Sequence, residues 1–154
     1  MEEFLLVFDL DGTLVDSVPD LRAALNQMLR ERGRPPLSAP QVKRMVGDGV
    51  PTLVARALTA SGADPSDAKT ALRRFLEIYE ANAAELTRPY PGVPETLTAL
   101  RQRGYRTAIC TNKPQRATMR YGYARVALDS LGADAFLDDF AALPETLQRL
   151  GLTP

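Results

Sequence analysis

The residues best able to do chemistry stand in two short clusters. In "FLLVFDLDGTLVDS", residues 4–17, an apolar run ends at Asp9 and Asp11, with Leu10 between them and Gly12 and Thr13 directly after. In "YRTAICTNKP", residues 105–114, a second apolar run ends at Thr111, Asn112 and Lys113. Side chains two apart on an extended segment point to one face, so the two carboxylates can share a ligand. A divalent cation between them would suppress their repulsion. One carboxylate could then attack an electrophile while the other moves protons. A hydroxyl and backbone N–H groups at the end of the neighbouring strand could hold an anionic oxygen. Together these groups describe metal-assisted transfer of a phosphoryl group onto an aspartate, followed by hydrolysis.

Each cluster alone also has a plainer reading. Asp-x-Asp-Gly is an ordinary turn composition, and Thr and Asn often cap strand ends. An EF-hand calcium loop starting at Asp9 fails on spacing: its sixth position needs glycine and is Leu14, and its twelfth needs glutamate and is Asp20. The conjunction of two polar clusters, each directly after an apolar run, carries the chemical reading.

Those clusters need elements to position them. Phe4 to Phe8 reads as a parallel strand buried on both faces, and "YRTAIC" (105–110) as a second strand. Ligands of open α/β sheets bind at the carboxyl ends of strands, so both clusters can face one crevice. Residues 17–88 between them read as all-helical. Ser17, Pro19 and Asp20 form a helix start, followed by Leu21, Leu25, Met28 and Leu29 at helical spacing and a stop at Gly33. A short helix follows Ser38, with Val42 and Met45 inward. "VGDGVP" (46–51) is a glycine-bearing turn before a third helix carrying Leu53, Val54, Ala57 and Leu58. Ser66 is the expected cap of a fourth helix with Ala68, Leu72, Phe75, Leu76 and Tyr79 inward. "RPYPGVPE" (88–95) ends the helical stretch, and Val93 to Arg103 reads as a helix closed by Gly104. The expected architecture is an α/β, Rossmann-like parallel-sheet core formed by residues 1–16 and 89–154, with a small all-helical insertion at 17–88 lying over the crevice.

Bulk composition narrows the partners. The 154 residues suit one domain, or a core with a small insertion. Lys plus Arg equals Asp plus Glu, 19 against 19, so no global field steers the chain toward nucleic acid or an anionic membrane. The apolar runs are too short to span a bilayer, and the Met-Glu-Glu start is acidic where a signal peptide would be basic. The absence of histidine excludes Ser-His and Cys-His catalysis within these residues. Cys110, the one cysteine, reads as a buried inert thiol. The expected setting is the cytoplasm, with a small molecule as partner, no nucleic acid and no membrane.

"DLDGTLVDS" (9–17) resembles the first motif of the haloacid-dehalogenase-like hydrolases, and "CTNKP" (110–114) resembles their second. The helical stretch is similar to the small cap of the phosphoglycolate phosphatase branch, which "VGDGVPTLVARAL" (46–58) and "PYPGVPETLTALRQRGY" (89–105) also fit. The resemblance implies a Mg²⁺-dependent phosphomonoester hydrolase of small phosphometabolites, with 2-phosphoglycolate the first candidate. It implies that Asp9 is the nucleophile and a metal ligand. Asp11 would protonate the leaving alkoxide, activate the water that follows, and bind the metal through its backbone carbonyl. Gly12 would permit the tight turn and Thr13 support it. Thr111 and the N–H of Asn112 would hold phosphoryl oxygens, with Lys113 beside them. Gly47, Asp48 and Gly49 would shape the substrate end of the crevice.

The family pattern then breaks off. It includes a third motif with a charge-offsetting lysine and a fourth with an acidic pair that completes the metal site. No lysine follows Lys113 in this sequence. "YGYARVALDSLGADAFLDDFAAL" (121–143) resembles the family's closing segment instead. The sequence therefore predicts a seam near residues 115–121, with a chain break between Thr118 and Met119. Asp138 and Asp139 read as turn or cap residues, with Leu143, Leu147 and Leu150 on a final helix. Two carboxylates alone predict a weak Mg²⁺ site. The alternative function is a non-catalytic or truncated derivative with at most weak phosphate binding.

Overall fold

A computed structural model describes residues 5–82, 85–113, 135–137 and 149–150. In chain order the elements are β1 (Leu5–Phe8), β2 (Val15–Asp16), α1 (Val18–Glu31), α2 (Ala39–Lys43), α3 (Gly49–Ala60), a 3-10 turn (Pro65–Asp67), α4 (Ala68–Asn82), β3 (Arg88–Pro89), α5 (Val93–Gln102), β4 (Arg106–Cys110) and β5 (Ala135–Leu137). Strands β1, β4 and β5 form a parallel sheet in that order. Phe8 stands opposite Ile109, so the chain leaves β1 and β4 at the same edge of the sheet. That register sets the two polar clusters side by side.

Strand β1 departs from the expected burial on both faces. Its residues are at most half-buried and Val7 is 38% exposed. Among the described strands it pairs only with β4, at one end of the order β1-β4-β5. Beneath the sheet's carboxyl end, Leu10, Leu14, Val15, Leu97 and Ile109 make a small apolar core. Strand β5 has no signal of its own in the sequence: "AFL" is too short an apolar run to announce a strand without its neighbour. Cys110 is half-buried rather than buried.

The stretch between the clusters is helical as expected, with its own core. Leu21, Leu25, Met28, Leu29, Val42, Leu53, Val54, Ala57, Leu58, Phe75 and Tyr79 are all buried there. Each large apolar side chain so buried contributes about 1.5–3 kcal/mol, which is what makes these short helices persist. Strands β2 and β3 pair antiparallel, Val15 with Pro89 and Asp16 with Arg88, and so join the entrance of the helical stretch to its exit. This two-residue ladder carries no alternating pattern long enough to be read from sequence. Ser66 does not cap α4: it lies inside the 3-10 turn, where its N–H donates to Asp64 Oδ1 at 2.8 Å. Among the described residues, no helix is long and apolar enough to cross a membrane. The predicted seam at 115–121, Asp138, Asp139, Leu143 and Leu147 lie outside the described residues.

Candidate active site

The turn after β1 is built so that its apolar member faces inward and its acids face out. Leu10 is fully buried in the small core, while Asp9 is exposed and Asp11 half-exposed. Gly12 holds φ at 85°, a left-handed conformation that lets the chain reverse immediately. The reversal is closed by Gly12 N–H donating to Val15 O at 2.8 Å and Leu14 N–H donating to Leu10 O at 2.9 Å. Thr13 then turns back, and its hydroxyl donates to Asp9 Oδ2 at 3.3 Å. That contact gives the Asp9 carboxylate a preferred orientation.

The second cluster leaves β4 alongside. Thr111 is buried, and its hydroxyl oxygen accepts the N–H of Lys113 at 3.2 Å. The hydroxyl proton is then left to donate to an anion. Lys113 is also buried, 6% exposed, and its Nζ donates to Asp11 Oδ1 at 2.9 Å. The same ammonium lies 5.4 Å from the centre of the Tyr79 ring on α4. Asn112 is exposed, and its Nδ2 donates to Gly47 O at 3.3 Å, linking the sheet edge to the turn before α3.

These groups line one pocket. Asp9, Asp11, Thr111, Asn112 and Lys113 form its polar floor, and Gly47, Gly49 and apolar side chains of α1, α3 and α4 form its roof. Its free volume is about 50 Å³, room for a small anion or a few waters. Of the sequence-derived candidates, only Asp48 stands apart. It precedes α3 and makes an exposed ion pair with Arg56 at 2.6 Å. Conversely, Leu21, Val46, Val50, Leu53 and Tyr79 line the pocket without having been singled out. The helical spacing of Leu21, Leu53 and Tyr79 marks them as core, and nothing in that spacing separates a core wall from a pocket wall; Val46 and Val50 fall in "VGDGVP", which has no such period.

Two adjacent oxygen donors suit a hard cation such as Mg²⁺, which takes one or two carboxylates and keeps several waters. Among the described residues, no cluster of three or more acidic, histidine or cysteine side chains occurs. Asp9 and Asp11 are thus two oxygen donors of the kind Mg²⁺ takes, and among the described residues no third carboxylate joins them.

Residues 5–149 match the family model of the haloacid dehalogenase-like hydrolases. A phosphoglycolate phosphatase of Pseudomonas putida is 44% identical over 162 residues, covering 97% of this chain and 59% of that protein. One of Cereibacter sphaeroides is 42% identical over 140 residues, covering 90% of this chain and 60% of that protein. The chain thus spans about three-fifths of the length of these relatives. A crystal structure from Haemophilus somnus, described as a predicted phosphoglycolate phosphatase, superposes with a TM-score of 0.78 at 29% identity, covering 99% of this chain and 73% of that one. With a family-model match over residues 5–149 and relatives more than 40% identical over nearly the whole chain, the chain belongs to the haloacid dehalogenase-like hydrolases.

Proposed function

We propose that this chain carries the site of a Mg²⁺-dependent phosphomonoester hydrolase acting on a small substrate, with 2-phosphoglycolate the leading candidate. One observation carries the reading: a pair of carboxylates and a strand-end hydroxyl and N–H cluster line the same small pocket. The names of the relatives support the substrate, and the small polar-floored pocket suits a small anion. In this reading residues 1–16 and 89–154 are the hydrolase core, and 17–88 are a cap that supplies the apolar roof.

Each residue then has a task. A carboxylate oxygen of Asp9 attacks phosphorus, the P–O ester bond breaks, and Asp11 gives its proton to the departing alkoxide. Asp11, now ionised, takes a proton from water as that water attacks phosphorus of the aspartyl-phosphate, which releases inorganic phosphate and restores Asp9. Thr13 orients the nucleophile through the hydrogen bond to Asp9. Thr111 and the Asn112 N–H donate to the phosphoryl oxygens where charge grows. Asp9 and the Asp11 backbone carbonyl would hold Mg²⁺, which when bound supplies positive charge at those oxygens.

The test is hydrolysis of 2-phosphoglycolate and of an aryl phosphate, with and without Mg²⁺, by the wild type and Asp9→Asn. Metal-dependent turnover that falls more than about a thousandfold in Asp9→Asn is expected, the scale seen when a nucleophile is removed. Turnover undiminished in that variant would remove Asp9 from the mechanism. No turnover in either protein would favour the non-catalytic derivative.

A further inference from the structure

Lys113 is placed where a structural lysine has no reason to be. Its side chain is buried, although its long stem could carry the ammonium to solvent at little cost. A buried ion pair is a poor stabilising device, because the desolvation of both charges offsets most of their attraction. The pair also joins two different parts of the molecule. Asp11 belongs to the turn after β1, whereas the ring that Lys113 faces, Tyr79, stacks on Phe75 within α4 at 5.4 Å between centroids. Phe75 and Tyr79 are both buried, so this wall of the pocket is backed by packed side chains.

The charge balance says what the ammonium can do. Asp9 and Asp11 would give the pocket two negative charges, and a phosphate monoester brings more of the same sign. One ammonium in the lining reduces that repulsion, and a bound divalent cation would reverse it. Among the described residues that line the pocket Lys113 is the one cation, so it can offset that charge from the β4 side.

We propose that Lys113 is a phosphate-binding residue held in store: its ammonium rests on Asp11 in the ligand-free pocket and passes to a phosphoryl oxygen when substrate arrives. This inference rests on the phosphatase reading above. The exchange has two effects in one movement. It supplies an ion pair to the incoming phosphoryl group, and it frees the Asp11 carboxylate to take up a proton from solvent, the proton that Asp11 then gives to the departing alkoxide. Tyr79 limits where the ammonium can go, keeping it over the pocket in both positions.

Calorimetric titration with inorganic phosphate, at fixed excess Mg²⁺, tests this without requiring turnover. Lys113→Met should weaken phosphate binding by about tenfold or more, the usual scale for losing a hydrogen bond to a charged group, while Lys113→Arg stays within about threefold of wild type. Asp11→Asn should tighten binding, because the ammonium no longer has a carboxylate to leave. The double variant Asp11→Asn/Lys113→Met removes both charges together, which guards against misfolding from a stranded buried carboxylate, and it should lose that gain entirely. Lys113→Met binding as wild type does, or the double variant binding as tightly as Asp11→Asn, would overturn the proposal. The same wild-type sample is assayed with an aryl phosphate. A wild type that neither hydrolyses it nor binds phosphate sinks the phosphatase reading and this inference with it. A wild type that does both, beside an unaffected Lys113→Met, sinks this inference alone.

Discussion

Asp20 and Thr87 lie 67 positions apart in the chain, and the Asp20 carboxylate accepts both the N–H and the hydroxyl of Thr87. Its other oxygen accepts the N–H of Leu86 at 3.0 Å. Asp20 is buried at the start of α1, so the segment that returns from the helical stretch is fastened to its first turn. Together with the β2–β3 ladder, this fixes where the roof of the pocket stands over its floor. Asp20→Asn puts an amide N–H₂ against donors and should cost on the order of 3 kcal/mol, the loss expected when buried donors give up a charged acceptor. Urea unfolding monitored by circular dichroism measures it as a lowered midpoint at unchanged slope. A midpoint equal to wild type would show that water serves these donors as well as the carboxylate does.

Gly12 offers a test of the turn that presents the two acids. A Cβ built there meets nothing within 4 Å, so crowding contributes nothing to the cost of Gly12→Ala. What remains is the left-handed backbone at φ 85°, a penalty of about 1–2 kcal/mol for a residue with a Cβ. The same strain falls on the turn that aims Asp9, so activity should fall further than stability does. Thermal unfolding and phosphatase rates on one preparation of Gly12→Ala separate the two. Equal activity with lowered stability would mean that the turn keeps its shape without glycine.

How much of this could be read in the sequence depended on how local each cause is. The helices over Leu21–Leu29, Leu53–Leu58 and Phe75–Tyr79 announce themselves because burial repeats every three or four residues. Asp9, Asp11 and Thr111 announce themselves because each ends an apolar run. Asp20 could not be read correctly: three residues after Ser17, it has the position of a capping residue, yet its hydrogen bonds go to residues that only the folded chain brings near. The sequence places Lys113 beside the phosphate-binding groups but carries no sign of its burial, which depends on Asp11 and Tyr79 arriving from distant elements. Strand β5 depends on β4 for its hydrogen bonds, and three apolar residues carry no period of their own.

Glu31 and Arg74 supply a pH-dependent tie between α1 and α4. Arg74 donates to both Glu31 carboxylate oxygens, at 2.8 and 2.9 Å. These hydrogen bonds hold the Glu31 carboxyl well below its ordinary 4.5, at about 2. A group whose pKa is lowered by folding stabilises the fold above its unfolded value and loses that contribution as the pH falls through its folded value. The stability difference between wild type and Glu31→Gln should therefore be full at neutral pH and shrink from about pH 4.5 toward about pH 2. Because the pair is exposed, added salt should also narrow it. Denaturant melts at pH 7 and pH 3 check the sign, and a gap that widens on acidification would refute the assignment.

Asn112 separates what its side chain does from what its backbone does. The side chain makes one exposed hydrogen bond, 3.3 Å long, to Gly47 O across the pocket. Such a bond is worth about 1 kcal/mol or less, so Asn112→Ala should shift KM for a phosphate ester by no more than about fivefold. Its backbone N–H, the group assigned to the phosphoryl oxygens, is untouched by that change. Asn112→Asp differs from it in charge. It places a third carboxylate in a lining that already holds Asp9 and Asp11. At separations near 5 Å a like charge costs about 1–3 kcal/mol between aqueous and protein-surface screening, which corresponds to roughly fivefold to a hundredfold in KM. The penalty should fall as ionic strength rises, whereas the effect of Asn112→Ala should not. Steady-state kinetics of both variants at low and high salt decide the matter. An Asn112→Asp enzyme with unchanged KM would mean that the anion binds away from this residue, and the phosphate position assigned to the end of β4 would have to move.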